Sequence, residues 1–296
     1  MARNLLGKYL WVLETIQRYG KITRRQLDEC WKKSEYSEGE ALARRTFYNY
    51  RNAIEELFGI SIQYDPATFE YFLGTETEGE DMNRWLVNSM AINNTLSTAT
   101  DIASRIMLED IPSAKGHLSI IIDAIKTSNK INISYAAFDR QTVSKNIIIE
   151  PYFLRIFKQR WYVIGYNCKD KKIKTYSLDR ITTVAVSQEK FEMPDISVSQ
   201  YFDGFFGITT DHGECKRVII KAESKQAKYL RALPLHKSQT EQMCDGYSIF
   251  SYNLHITYDL IQELLSFGSK VTVIAPPELK SQIKESLRKS LENYNA

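Results

Sequence analysis

The chain has 296 residues, 43% of them apolar and 25% charged, and its 39 Lys and Arg against 36 Asp and Glu leave a formal net charge of +3. That length has room for two or three domains with packed cores, and the composition excludes a disordered, collagen-like or disulfide-stapled chain. Cys30, Cys168, Cys215 and Cys244 lie far apart with no CxxC pair, which argues against a zinc ribbon, and no apolar run approaches the roughly 18 residues of a membrane span.

The opening stretch MARNLLGKYLWVLETIQRYG carries Leu6, Leu10, Leu13 and Ile16 at helical spacing and stops at Gly20, which predicts a first helix. Charges interrupt it, so it lacks the layout of a signal peptide, and a cytoplasmic protein with no membrane partner is expected. Thr23 then stands as an N-cap, with Gln26 at the capping-box position, for a second helix in RRQLDECWKKS. A third helix is predicted from about Glu40 to Phe58, with Leu42, Phe47, Ile54 and Leu57 turned to the core. ISIQYDPATFEYFLG alternates, breaks at DPAT and resumes, the pattern of a β-hairpin.

Three helices and a hairpin in about 75 residues match a winged helix-turn-helix plan. The third helix is its candidate reader of duplex DNA. Arg44, Arg45, Thr46, Tyr48, Asn49 and Arg51 open it. Arginines supply phosphate contacts and salt-dependent affinity, and one fork on a guanine adds about 1–3 kcal/mol of discrimination. A solvated helix face with ordinary arginines would show the same residues; the hairpin directly behind it favours DNA.

Residues 75–115 begin acidic and continue with helical spacing, so they read either as a helical linker or as a helix of the next domain. From His117 a helix precedes five short strands joined by tight connections, which suits a small Sm/SH3-like barrel. Beyond residue 196, strands and helices alternate, with Pro277 opening a last helix, which predicts an α+β sandwich of ferredoxin-like type. No HExxH, GxSxG or Gly-rich phosphate loop occurs. Asp139, Glu150 and Asp179 lie on different predicted strands with no His or Cys in register, so neither a metal, a cofactor nor a catalytic residue is assigned, and the chain is not expected to be an enzyme.

The stretch EPYFLRIFKQRWYVIGYNCKDKKIKTYSLDRITTVAVSQEKF resembles the signature of WYL-domain transcription regulators. Pro151 opens one strand, Trp161-Tyr162-Val163 stands where that family has Trp-Tyr-Leu, and Tyr176 to Ile181 gives its aromatic-x-Leu-Asp-Arg-Ile segment. Val163 departs from the family's Leu but keeps an apolar strand position. The last hundred residues, with KVTVIAPPEL, resemble the extension that often follows such a domain, and RRTFYNYRNAIEELFGISI resembles its usual winged helix. The resemblance implies a bacterial regulator that binds double-stranded DNA, senses a nucleotide or oligonucleotide effector in its middle domain and forms a homodimer through its extension. The expected domains are 1–74, a winged helix-turn-helix; 75–115, a helical linker; 116–195, the WYL barrel; and 196–296, the α+β extension.

On the barrel, Tyr135, Arg155, Lys158, Arg160, Tyr162, Tyr166, Tyr176, Ser177 and Arg180 form the candidate effector surface. Guanidinium groups bind phosphate as a fork, and aromatic rings stack bases for about 1–3 kcal/mol each. Trp161 reads as core. Tyr162 fits a core tyrosine as well as a ligand contact, and Arg180 after Asp179 fits a structural ion pair as well as a clamp. The alternative reading of the whole chain is an RNA- or single-strand-binding Sm-like protein without promoter-specific regulation.

Overall fold

The computed structural model describes residues 2–37, 39–74, 85–86, 89–90, 92, 104–107, 115–138, 141–210 and 213–295. Most of the 75–115 linker and Asp139 lie outside these residues. Two compact units divide the chain, Met1–Glu109 and Asp110–Ala296.

In the first unit, helix α1 (Ala2–Tyr19) ends at Gly20, whose φ of 72° suits a residue without Cβ. Strand β1 (Lys21–Thr23) leads into α2 (Arg24–Lys32). The Thr23 hydroxyl accepts from the Gln26 amide at 3.3 Å, and Gln26 Oε1 accepts from the Thr23 amide at 2.9 Å, a complete capping box. Helix α3 (Arg44–Phe58) closes on Gly59 at φ 64°. It starts four residues later than Glu40. Leu42 precedes the helix but is buried in the core as expected, and its carbonyl accepts from the Arg24 guanidinium.

Strands β2 (Ile62–Asp65) and β3 (Glu70–Leu73) form the hairpin, and β1 adds to its open edge in the order β1-β3-β2. Ile22, Leu27, Phe47, Ile54 and Ile62 are fully buried, worth about 1.5–3 kcal/mol each. Leu57, expected inside, is 61% exposed, and Tyr50 and Phe58 pack in its stead. At about 100° per residue, Phe58 falls closer than Leu57 to the direction shared by Phe47 and Ile54.

In the second unit, α4 (Lys115–Lys126) packs on a five-stranded antiparallel sheet. Its strands are β4 (Asn129–Tyr135), β5 (Ser144–Phe157), β6 (Arg160–Asn167), β7 (Lys172–Ser177) and β8 (Ile181–Lys190), in the order β7-β6-β5-β4-β8. Lys158 and Gln159, at φ 46° and 64°, make the two-residue β5–β6 turn without glycine. The pairing of β5 shifts register between Pro151 and Phe153, where a residue lacking an N–H is tolerated. Leu178–Arg180 forms a 3₁₀ turn into β8.

One face of β6 sends Val163 to a core with Ile121, Ile131, Ile149, Tyr176 and Leu178. Its other face sends Tyr162 and Ile164 to a second cluster with Tyr152, Phe153, Phe191 and Phe202. Residues 191–208, which include the short α5 (Val198–Tyr201), supply the last two. Gly165 lies so close to β5 that a Cβ there would stand 2.3 Å from the Glu150 carbonyl oxygen. Gly165→Ala is therefore expected to lower stability by about 1–3 kcal/mol through overpacking, read as a lower urea midpoint.

The remaining elements are β9 (Lys216–Glu223), α6 (Ser224–Ala232), β10 (Thr240–Cys244), β11 (Tyr247–Leu254), α7 (Tyr258–Ser266), β12 (Val271–Ala275) and α8 (Pro277–Asn295). The β-α-β-β-α-β succession with sheet order β10-β11-β9-β12 is a split βαβ arrangement. Burial pushes the Tyr252 phenol well above the ordinary tyrosine range, and its hydroxyl donates to Gln239 Oε1 at 3.0 Å. The fold holds the neutral form. Its contribution is complete below the unfolded value near 10 and is lost as pH rises past it. Urea midpoints are expected to fall as pH rises above about 10, and less steeply in Tyr252→Phe.

Candidate nucleic-acid interface and ligand surface

In the first unit the helical turn decides which groups of α3 are available. Burying Phe47, Tyr50 and Ile54 leaves Arg44, Arg45 and Asn49 exposed and Thr46, Tyr48 and Arg51 half-buried on the remaining face. Tyr71 on β3 and Arg44 both act on Tyr48 and, with Arg51 nearby, pull its phenol below the usual tyrosine range. The Arg44 guanidinium carbon stands 5.8 Å from the Tyr48 ring centroid. The hairpin thus stands beside two side chains in the first turns of α3.

Residues that the sequence reading passed over join this face. A groove lined by Arg24, Arg25, Arg44, Tyr64, Phe69 and Tyr71 runs between the start of α2 and the hairpin. Arg24 bonds Asp28 and lies 5.1 Å from the Phe47 ring centroid. Phe69 is 66% exposed at φ 58°. The available signal was an aromatic residue where the hairpin needs a turn residue, and two arginines directly after a helix cap.

In the second unit, register sorts the expected effector residues. Arg155, Tyr162 and Ser177 face one another across β5, β6 and β7 and so share one face. Beside them, Arg160 Nη1 lies 3.8 Å from Asp179 Oδ2, and the Ser177 hydroxyl donates to the other oxygen of that carboxylate. Tyr162 is 8% exposed; burial raises its phenol pKa, while Arg160 and Arg180 pull the other way. The Arg180 guanidinium carbon lies 3.5 Å from the ring centroid of the exposed Phe138, and its Nε is buried with no hydrogen-bond partner among the described residues. Tyr135 accepts from the Ser177 amide at 3.3 Å. Arg160, Ser177, Arg180 and Asp179 therefore gather around Tyr162, with Tyr135 bonded to Ser177 and Phe138 beside Arg180.

The other four are placed elsewhere. Tyr176 lies in the inner core, edge-on to Tyr135 at 5.2 Å, and its hydroxyl accepts from Asn167 at 2.7 Å. Tyr166 packs half-buried on the second cluster. Lys158 pairs with Glu263 of α7 at 2.8 Å. Arg155 lies under Phe202, 3.9 Å from its ring centroid.

Two guanidinium groups, Arg160 and Arg180, and the one carboxylate of Asp179 all lie close enough to act on Tyr162, which leaves a local surplus of positive charge. The Arg160–Asp179 contact is long and partly solvated, so it is worth about 0–1 kcal/mol. An anion could compete for Arg160 at small loss. Glu150 accepts from the Tyr152 hydroxyl at 3.0 Å and pairs with Lys130 at 3.7 Å. Among the described residues no group of three or more His, Cys, Asp or Glu side chains is placed to hold a metal ion, and no helix is long and apolar enough to cross a membrane.

Residues 116–186 match the family model of the WYL domain, and residues 216–291 that of the WCX domain. No curated protein matches the chain. Among solved structures, proteasome accessory factor B/C (PafBC) of Arthrobacter aurescens is 21% identical with a TM-score of 0.39, over 100% of this chain and 48% of that one. A structure titled as a CRISPR Cas-related protein is 12% identical with a TM-score of 0.38, over 62% of this chain and 53% of that one. The chain thus spans about half the length of either structure. The inner core and the Tyr162–Ser177 face both lie inside the segment that matches the WYL domain, and the segment that matches the WCX domain follows it.

Proposed function

We propose that this protein is a ligand-responsive DNA-binding transcription regulator. The first unit acts as a winged helix-turn-helix that reads duplex DNA with Arg44, Arg45, Thr46, Tyr48, Asn49 and Arg51. The five-stranded sheet acts as an Sm/SH3-like barrel that binds a nucleotide or single-stranded nucleic-acid effector around Arg160, Tyr162, Ser177 and Arg180. The ferredoxin-like extension pairs two copies, so the operator is an inverted repeat with half-sites about 34 Å or a multiple apart. The working division is 1–74, 75–115, 116–195 and 196–296, in a cytoplasmic protein without catalytic activity.

The observation that carries this reading is the exposed cationic start of α3 beside the β2–β3 hairpin, with Arg24, Arg25, Arg44, Tyr64 and Tyr71 lining one groove. The WYL match supports the sensing half. The test is titration of the full chain with labelled duplex and single-stranded DNA of one sequence at two salt concentrations. Duplex binding that weakens steeply with salt is expected. Binding of single strands alone favours the Sm-like reading without promoter regulation.

A further inference from the structure

Resting on the reading of the barrel as the seat of a nucleotide-type ligand, we propose that residues 191–208 form a displaceable strap in which Phe202 holds the place of the ligand's planar base over Arg155. Arg155 belongs by register to the face of Tyr162 and Ser177. Its guanidinium is nevertheless covered by the Phe202 ring at 3.9 Å, and its Nη1 is buried with no hydrogen-bond partner among the described residues. Burial lowers its pKa, and the opposing charge of Asp259 only partly offsets this. A cation dried on one side and lacking an acceptor is unfavourable unless something else fills the need. A phosphate oxygen would supply the acceptor, and a base would replace the ring with the same stacking geometry.

The strap is fastened in a way that can carry the movement onward. Asp259 Oδ2 accepts from the amides of Ile208 and Thr209, both at 2.8 Å, and the Gly204 carbonyl accepts from His255 N–H at 2.7 Å. To the barrel it is tied by Thr175 Oγ1, which donates to the Ile208 carbonyl at 3.2 Å. Gly204 and Gly207, at φ 71° and 87°, flank Phe205 and Phe206. A Cβ on Gly207 would stand 2.4 Å from Asp259 Oδ2, so the latch needs glycine there. Displacing Phe202 would therefore load the contacts at His255 and Asp259, which lead directly to the WCX half.

The test uses the full chain and a labelled single-stranded oligonucleotide of about twelve bases. Phe202→Leu keeps apolar volume in the cluster but removes the ring, and it is expected to bind the oligonucleotide about tenfold more tightly than the wild type. Arg155→Ala in that background abolishes the gain. In the wild type, adding the oligonucleotide is expected to speed hydrogen exchange at the Ile208 and Thr209 amides. If the wild type binds with those amides unchanged, or Phe202→Leu binds no tighter, the strap is overturned and the barrel reading stands. If neither protein binds, both fall together.

Discussion

Replacing Arg45 and Arg51 together by alanine is expected to weaken duplex binding and to flatten its salt dependence. Arg45 is exposed on the open face of α3, and Arg51 is half-buried on the flank of its buried side. The buried side of the helix is carried by Phe47, Tyr50 and Ile54, so neither arginine is needed for the fold. Each phosphate neutralised releases condensed counterions and contributes about 0.9 to the slope of log K against log salt. Loss of two such contacts flattens the slope by about 2. Should one of the pair instead read a guanine, the loss becomes sequence-dependent, by about 1–3 kcal/mol at a single position. Fluorescence anisotropy across a salt series separates these cases, and an unchanged slope with an unchanged melting curve removes the two arginines from the interface. Arg44 is the poorer choice for this test, because it lies over the Tyr48 ring and its loss would disturb a neighbour.

The second large effect belongs to the five-stranded sheet. Arg160→Ala with Arg180→Ala is expected to abolish effector binding while duplex affinity in the absence of effector is kept. A charge-assisted hydrogen bond contributes about 1.5–3 kcal/mol, so removal of both lowers affinity for a phosphate-bearing ligand by about 10²-fold or more. Asp179→Asn is expected to act in the opposite direction, because it removes the carboxylate that lies 3.8 Å from Arg160. Calorimetric titration with a single-stranded oligonucleotide reads both variants. Equal affinity for wild type, double variant and Asp179→Asn would remove this cluster from ligand binding.

How much of this was legible in the sequence varied with the range of the interactions involved. The Thr23–Gln26 capping box and the stops at Gly20 and Gly59 are local, and each was readable from a few adjacent residues. Strand β1 is three residues long and shows no period, so only its pairing with β3 reveals it. The β10 stretch TEQMC is largely polar because it forms a sheet edge, which hides it from any reading by hydrophobicity. Alternation along β6 and β7 sorted their side chains into two faces, but which face is inner is set by distant residues. Tyr176 went to the inner core with α4, whereas Tyr162 went to a cluster completed by Phe191 and Phe202. The same distance in sequence concealed the partners of Arg155 and Lys158, which lie on Phe202 and on Glu263. Phe138 on Arg180 is a similar case, a loop residue brought in by the path of the chain.

The coupling of duplex binding to ligand binding is tested most directly by incubating the full chain with sheared genomic DNA and sequencing what it retains, with and without a single-stranded oligonucleotide. The account predicts that the retained duplex fragments share a short inverted repeat and that the oligonucleotide changes how much of them is held. Retention of fragments without a common motif, unaltered by the oligonucleotide, would contradict it.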